Sequence, residues 1–190
     1  MILHFSWELW QRLREYVIAS LPNEVTGIGA IEVINSREVK VTDIFLPQQK
    51  VNAGYSQFTK GELGMIISNF VRNNPARAGD LCFRWHSHAY GNVFWSAIDE
   101  SDIDSWKGDY VFNLFTNAKG DVLIRLDIFK PLRVTIPEVK LVVDYPELDD
   151  ELRQSYIDEV QDKVIPLPPE PPKDPWPDND DAKLLRWLLS

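Results

Sequence analysis

Two histidines and an aspartate form the most chemically suggestive group in the sequence. They lie in the stretch RWHSHAYGNVFWSAIDESDID, which runs from Arg84 to Asp104 and contains two of the chain's three histidines. His86 and His88 are two residues apart, so at the end of a strand both rings would point to the same side. Asp99 would lie in the first turn of the next helix. Three protein ligands of these types leave a fourth zinc position open, which is typical of catalytic rather than structural zinc sites.

A simpler interpretation exists for each part of this group. Ser96 and Asp99 have the S-x-x-D spacing that caps the start of a helix. Two histidines alone could be ordinary imidazoles that are satisfied by hydrogen bonds or solvent. The joint pattern favours the metal site, because both histidines and the aspartate fall within one short stretch. Such a site would also need a base, and Glu24 is a candidate because it opens the glycine-containing strand EVTGIGAIEVI.

Taken together, these motifs resemble a known family. Glu24 followed by Gly27, then WHSH, then WSAID, is similar to the JAMM (MPN+, Mov34-like) zinc metallopeptidases, whose pattern is a distant Glu followed by H-x-H-x7-S-x2-D. The resemblance covers residues 1–145. It implies a cytidine-deaminase-like α/β fold, in which helices flank a curved, mixed and largely antiparallel sheet.

The resemblance also implies a metal and a role for each motif residue. His86, His88 and Asp99 would bind one Zn²⁺ per chain. Glu24 would activate a zinc-bound water as general base and then act as general acid. Ser96 would help to stabilise the tetrahedral intermediate.

One residue departs from the family pattern. Ala89 follows the second histidine, where the family usually has proline. A proline would stiffen the loop but would supply no ligand, so the departure concerns loop geometry rather than metal binding. Because the implied ligand set is complete, we expect an active zinc metalloprotease.

The family's substrates predict what such an enzyme would cut: isopeptide or peptide bonds after the C-terminal tail of ubiquitin or a ubiquitin-like protein, in a conjugate or a precursor. The polar segment Pro47–Phe58 is the expected platform for that extended tail. Tyr90 and Trp95 are expected to wall the groove, with ordinary packing as the alternative for both. Two other functions remain open: a zinc peptidase or amidase for a small peptide or amide, and a non-catalytic scaffold that assembles through its proline-rich tail.

Hydrophobic periodicity predicts the elements that would position this site. Apolar residues at helical spacing predict helices over 6–20, 59–73, 96–106 and 147–164. Alternating or β-branched runs predict strands over 1–5, 24–34, 38–46, 81–86, 110–116, 122–129 and 139–145. Thr59 and Glu62 have the spacing of a capping box, and Pro47–Phe58 is predicted to be a loop. The expected class is α/β with a mixed or mostly antiparallel sheet.

Composition divides the chain into a domain and an extension. The expected parts are a metallopeptidase domain over 1–145, an amphipathic helix over 146–165, a proline-rich linker over 166–181 and a short apolar tail helix over 182–190. The tail would pack on its own domain or a twin subunit, or it would dock in a partner's groove.

Charge and cysteine content narrow the classes of partner and compartment. A net charge of -9 disfavours nucleic acid, which needs clustered Lys and Arg. The single cysteine, Cys82, excludes an intramolecular disulfide and is expected to be buried packing rather than a nucleophile. No signal peptide or membrane-length apolar run is apparent, so we expect a cytoplasmic protein without a membrane partner.

Overall fold

The computed structural model describes residues 1–144 and 150–169 as a mixed α/β fold. The strands are β1 (Ile2–Ser6), β2 (Thr26–Asn35), β3 (Glu38–Phe45), β4 (Gln49–Asn52), β5 (Tyr55–Phe58), β6 (Phe83–Ser87), β7 (Tyr110–Thr116), β8 (Val122–Ile128), β9 (Val134–Ile136), β10 (Lys140–Asp144) and β11 (Val164–Pro166). The helices are α1 (Trp7–Ala19), α2 (Glu62–Asn73), α3 (Ala97–Asp104) and α4 (Asp150–Lys163), with a 3₁₀ segment at Pro75–Asp80. The predicted mixed α/β class is confirmed.

Eight of the described strands form one mixed sheet in the order β10-β1-β3-β2-β6-β7-β8-β9. β1 runs parallel to both of its neighbours, and β6 runs parallel to β7. The other neighbouring pairs are antiparallel. A second sheet has the order β11-β4-β5, so β5 lies at its edge. Within the described ranges, no helix is long and apolar enough to cross a lipid bilayer.

The core on one face of the sheet decides which side chains of β6 face the other way. Trp85 and Phe83 are fully buried, and the ring of Trp85 stacks on Tyr16 of α1 with centroids 5.8 Å apart. Since side chains alternate along a strand, burying Phe83 and Trp85 in this core directs Arg84 and His86 to the opposite face. A one-residue slip would exchange the two faces, so the tryptophan fixes the register that the histidines need.

Gly27 of β2 permits this packing. A Cβ atom at Gly27 would lie 2.3 Å from two ring carbons of Trp85 and 2.4 Å from the backbone oxygen of Phe45. Because a backbone oxygen in the sheet cannot move aside easily, Gly27→Ala should lower the free energy of unfolding by at least about 2 kcal/mol. Gly64 of α2 is the control: a Cβ atom there would have nothing within 4 Å, so Gly64→Ala should be neutral or slightly stabilising. Urea denaturation of both variants tests this, and equal stabilities would contradict it.

Two local predictions were wrong. Pro47–Phe58 contains the antiparallel pair β4–β5 rather than a loop. The capping box predicted at Thr59 and Glu62 is absent, because α2 begins after Gly61, which adopts a left-handed conformation with φ 87° and makes no side-chain cap bond. Glycine tolerates this conformation, so the backbone turn sets the start of the helix.

The predicted C-terminal extension is described only in part. The predicted amphipathic helix appears as α4, and the chain then continues directly into β11, which pairs in parallel with β4. Residues 145–149 and 170–190 lie outside the described part of the chain. The apolar tail helix predicted over 182–190 and most of the proline-rich linker therefore remain predictions.

Candidate metal centre

The end of β6 and the start of α3 bring His86, His88 and Asp99 together. One potential ligand atom of each residue lies within 4.8 Å of the others, and all three side chains are largely buried. The Nε2 atom of His86 is 3.9 Å from one carboxylate oxygen of Asp99, and Nε2 of His88 is 3.7 Å from the other. The spacing predicted from the H-x-H pattern therefore exists in the fold, and the group can hold a metal ion.

Hydrogen bonds at the far side of His88 support this use of its Nε2 atom. Nδ1 of His88 lies 2.9 Å from the carbonyl oxygen of Asn92. A carbonyl oxygen can only accept, so Nδ1 carries the hydrogen and donates it. The lone pair of a neutral His88 then lies on Nε2, which faces Asp99. Metal-bound histidines are typically fixed by such a bond from the other ring nitrogen, so the donor set fits a metal.

Asp99 is both a helix cap and a member of this group. Its Oδ2 atom accepts hydrogen bonds from the Ser96 backbone N–H at 3.0 Å and from the Ser96 hydroxyl at 2.5 Å, and the Asp99 N–H donates to Ser96 Oγ at 3.2 Å. Burial raises the pKa of the Asp99 carboxyl, but the electrostatic interactions with His88 and His86 and the hydrogen bonds from Ser96 outweigh burial and bring it to about 2. The capping interpretation is confirmed, and it holds an ionised carboxylate beside both imidazoles.

A charged network holds the first turn of α3 against β8. Arg125 of β8 donates two hydrogen bonds of 2.6 Å to the carboxylate of Glu100, which follows Asp99 in the first turn. Its Nε–H donates to the fully buried Asp127 at 2.8 Å, and its guanidinium lies 4.3 Å from the ring centre of Trp95. The sequence carries no signal for this network, because Trp95 and Glu100 are at least 25 residues from Arg125 and Asp127 in the chain.

Glu24 reaches the same group from a different strand. It lies just before β2, where its N–H donates to the carbonyl of Asn52 at 2.9 Å. The next residue, Val25, donates its N–H to the hydroxyl of Ser87 at 2.8 Å, which ties this segment to β6. One oxygen of Glu24 lies 3.3 Å from Nε2 of His86, and the side chain is only 13% exposed. A carboxylate outside the three-residue group therefore lies within reach of whatever that group binds.

These residues line a cavity of about 680 Å³. Its walls come from the β4–β5 hairpin, from the loop after β6 and from α3. Tyr90 lines the cavity and is 62% exposed. Trp95 is not among the lining residues, and its ring packs on Phe115 with centroids 4.3 Å apart. The neighbouring Phe94 lines the cavity instead and meets the His88 ring at 5.1 Å.

Among the lining residues that were not predicted from the sequence are Phe94 and Arg84. Phe94 has no distinguishing signal in a loop with two adjacent aromatics. Arg84 could have been predicted from the sequence, because residues 84, 86 and 88 share a face when Trp85 is buried. By contrast, Cys82 is buried outside the cavity lining, and burial raises the pKa of its thiol to about 11, so it is a neutral packing group.

Ala89, the departure from the family pattern, has a backbone that proline could not adopt. Its φ is +41°, whereas the proline ring fixes φ near about −65°. Its carbonyl accepts a hydrogen bond from the Ala118 N–H at 2.8 Å, which holds this loop conformation against the β7–β8 turn.

Proline at position 89 should therefore damage this loop. Ala89→Pro is expected to reorganise the loop after His88 and to weaken metal binding by about tenfold or more, as outer-shell changes do. Ala89→Gly is the control, because glycine adopts positive φ without strain and should keep both zinc affinity and Tm. Zinc titration of the two variants tests this. Normal zinc affinity in Ala89→Pro would show that the loop geometry is unimportant.

The fold and this site define a mixed α/β protein with a candidate three-residue metal centre. No protein-family model matches the chain, and no curated protein matches it. Among solved structures, the chain is similar to protein DSY2949 from Desulfitobacterium hafniense, determined in solution, with a TM-score of 0.50 and 13% sequence identity. The match covers 80% of this chain and 98% of that chain. At this identity the similarity concerns the fold alone.

Proposed function

We propose that the chain is a zinc-dependent metallopeptidase of the JAMM type, with that family's cytidine-deaminase-like fold. It would hydrolyse isopeptide or peptide bonds after the C-terminal tail of ubiquitin or a ubiquitin-like protein. One observation carries the proposal: the carboxylate of Glu24, from a separate strand, lies 3.3 Å from His86 beside the His86–His88–Asp99 group. A structural zinc site closes its coordination with four protein ligands, whereas Glu24 is outside the group of three potential ligands and can serve as a base for a water at the open fourth position.

The proposed chemistry is amide hydrolysis without a covalent intermediate. His86, His88 and Asp99 would hold a zinc ion, which would supply Lewis acidity for activating water and polarising the substrate carbonyl. Glu24 accepts the proton of the attacking water and delivers it to the leaving amine. Its partial burial keeps competing bulk water away from this proton transfer.

The hydroxyl group of Ser96 has one hydrogen to donate, and Asp99 accepts it in this structure. Its hydroxyl donates to Asp99 Oδ2 at 2.5 Å. To stabilise an oxyanion, this hydroxyl must turn from Asp99 to the substrate oxygen. The Ser96 backbone N–H, also bonded to Asp99 Oδ2, would keep that carboxylate in place during the turn.

The β4–β5 hairpin supports an extended substrate. β5 is at the edge of its three described strands, and Tyr55–Phe58 lines the cavity that contains Glu24 and His86. An extended tail can add itself to such an edge through main-chain hydrogen bonds. A tail bound along β5 would direct its end towards the metal group, since Ser56 Oγ is 3.5 Å from Nδ1 of His86.

Cleavage of two matched substrates tests this proposal. One is a ubiquitin-like protein extended beyond its C-terminal tail, and the other is the bare tail peptide with the same scissile bond. Binding energy from the folded part should give the protein substrate a kcat/KM about tenfold higher or more. Equal values would favour the small-peptide or amide alternative, and failure to cleave either substrate would contradict the proposal.

A further inference from the structure

Arg84 places a positive charge in the same cavity, two residues before His86. Because Phe83 and Trp85 are buried on the other face of β6, the Arg84 side chain lies on the cavity face with His86. It is only 16% exposed. The cavity also contains the carboxylates of Glu24, Asp99 and Asp102.

The guanidinium of Arg84 is poorly paired for so buried a cation. Within residues 1–144 and 150–169, none of the hydrogen bonds involves its side chain. Its nearest acid is Asp102, with 3.7 Å between Nη2 and Oδ2, and that carboxylate side chain is 61% exposed. A separation of 3.7 Å is too long for a direct hydrogen bond.

Arg125 shows how the same chain satisfies an arginine that serves the fold. Its side chain is 8% exposed, and it makes three hydrogen bonds of 2.6 to 2.8 Å to Glu100 and Asp127. No side-chain nitrogen of Arg84 is among the fully buried polar atoms that lack a partner, so its N–H groups remain open to the cavity. Arg84 therefore keeps its donors available on the side that faces the cavity.

We propose that Arg84 binds a carboxylate of the substrate next to the scissile bond. The planar guanidinium matches a carboxylate in a two-bond arrangement. A single cation among three carboxylates suits a monoanion better than a doubly charged phosphate. The role of this contact in hydrolysis rests on the proposed function, but the binding site itself does not.

Two parts of a peptide could supply this carboxylate. One is the free α-carboxylate of a leaving group that is a single residue long. The other is the side chain of an Asp or Glu beside the scissile bond. Both present the same group to Arg84, and matched probes separate them: N-acetylglycylglycine against its C-terminal amide, and N-acetylaspartylglycinamide against its asparaginyl counterpart.

The test measures, by NMR titration, the binding of these four probes to the zinc-supplemented protein. For at least one pair, we expect the wild-type chain to bind the acid about tenfold more tightly than its neutral partner, or more. Arg84→Met should lose this preference. Arg84→Lys, which keeps the charge without the planar fork, should retain part of it. Arg37→Met, at an exposed position in the β2–β3 turn, is the control and should keep the whole preference.

Asp102 separates this role from a structural one. If Arg84 only held α3 through Asp102, then Asp102→Asn and Arg84→Met would shift the preference in the same direction. In our proposal Asp102 competes with the ligand, so Asp102→Asn should strengthen binding of the acid. No preference in the wild-type chain for either pair, or an unchanged preference in Arg84→Met, would overturn the proposal. The comparison requires no cleavage, so it stands even if the proposed hydrolysis is not observed.

Discussion

Glu24→Gln is expected to abolish hydrolysis while leaving the metal bound. Glutamine has nearly the same size and shape as glutamate, but it cannot accept and deliver a proton at neutral pH. Loss of a general acid–base group typically lowers the rate by about 10²- to 10⁴-fold. Glu24 is outside the group of three potential ligands, so zinc content should stay at the wild-type level. Steady-state kinetics on a ubiquitin-like fusion, together with metal analysis of the same sample, provides the measurement.

A second glutamate, eight residues further along the chain and within β2, provides the matched control. Glu32 is exposed in β2, away from the cavity lining, and Glu32→Gln makes the same chemical change. It should leave both activity and zinc content unchanged. Retained activity in Glu24→Gln would contradict the assignment of the base. Lost zinc in that variant would instead indicate that Glu24 is a metal ligand.

Arg125→Met is expected to lower the free energy of unfolding more than replacement of an exposed ion-pair residue does. It removes a cation that bonds the fully buried Asp127 and the first turn of α3. Asp127 would keep weaker partners, including Arg133 at 3.3 Å, but would lose its strongest ion pair. Breaking one side of a buried ion pair costs on the order of 3 kcal/mol. Urea denaturation gives the free energy of unfolding directly.

Arg125→Met should also weaken metal binding by the His86–His88–Asp99 group. Glu100 is the neighbour of Asp99, so loosening its bonds to Arg125 lets the first turn of α3 move. Zinc affinity should fall by about tenfold or more, as it does when outer-shell support is removed. Lys130→Met is the control, because the Lys130–Asp109 pair is 68% and 66% exposed and such pairs contribute about 0 to 1 kcal/mol. Similar small losses in both variants would show that the buried network does not support the fold.

The site was more predictable from the sequence than the surface around it. The three candidate ligands come from two local patterns, H-x-H at a strand end and S-x-x-D at a helix start, and local patterns are set by backbone geometry. The positions of most strands also followed from alternation. The register of β6 could be understood only with the packing partner of Trp85, because α1 lies far away in the sequence.

The errors concern segments whose structure depends on distant partners. β4 and β5 are polar and only four residues each, and β4 is held partly by β11, more than a hundred residues later. The orientation of Trp95 depends on Arg125 and Phe115, which no local pattern connects to it. Because Trp95 packs on Phe115, the neighbouring Phe94 is the aromatic residue that is exposed at the cavity. Residues that contact the substrate would therefore be harder to predict than residues that hold the metal.

A zinc titration of cleavage tests the proposed zinc-dependent hydrolysis directly. The chain is stripped of metal with a chelator, Zn²⁺ is added back in steps, and hydrolysis of a ubiquitin-like fusion is followed at each step. Activity should be absent at the start, rise in proportion to added zinc and level off at about one equivalent per chain, as expected for one three-ligand catalytic site. Cleavage that survives metal removal, or a chain that binds no zinc, would contradict zinc-dependent hydrolysis at this site.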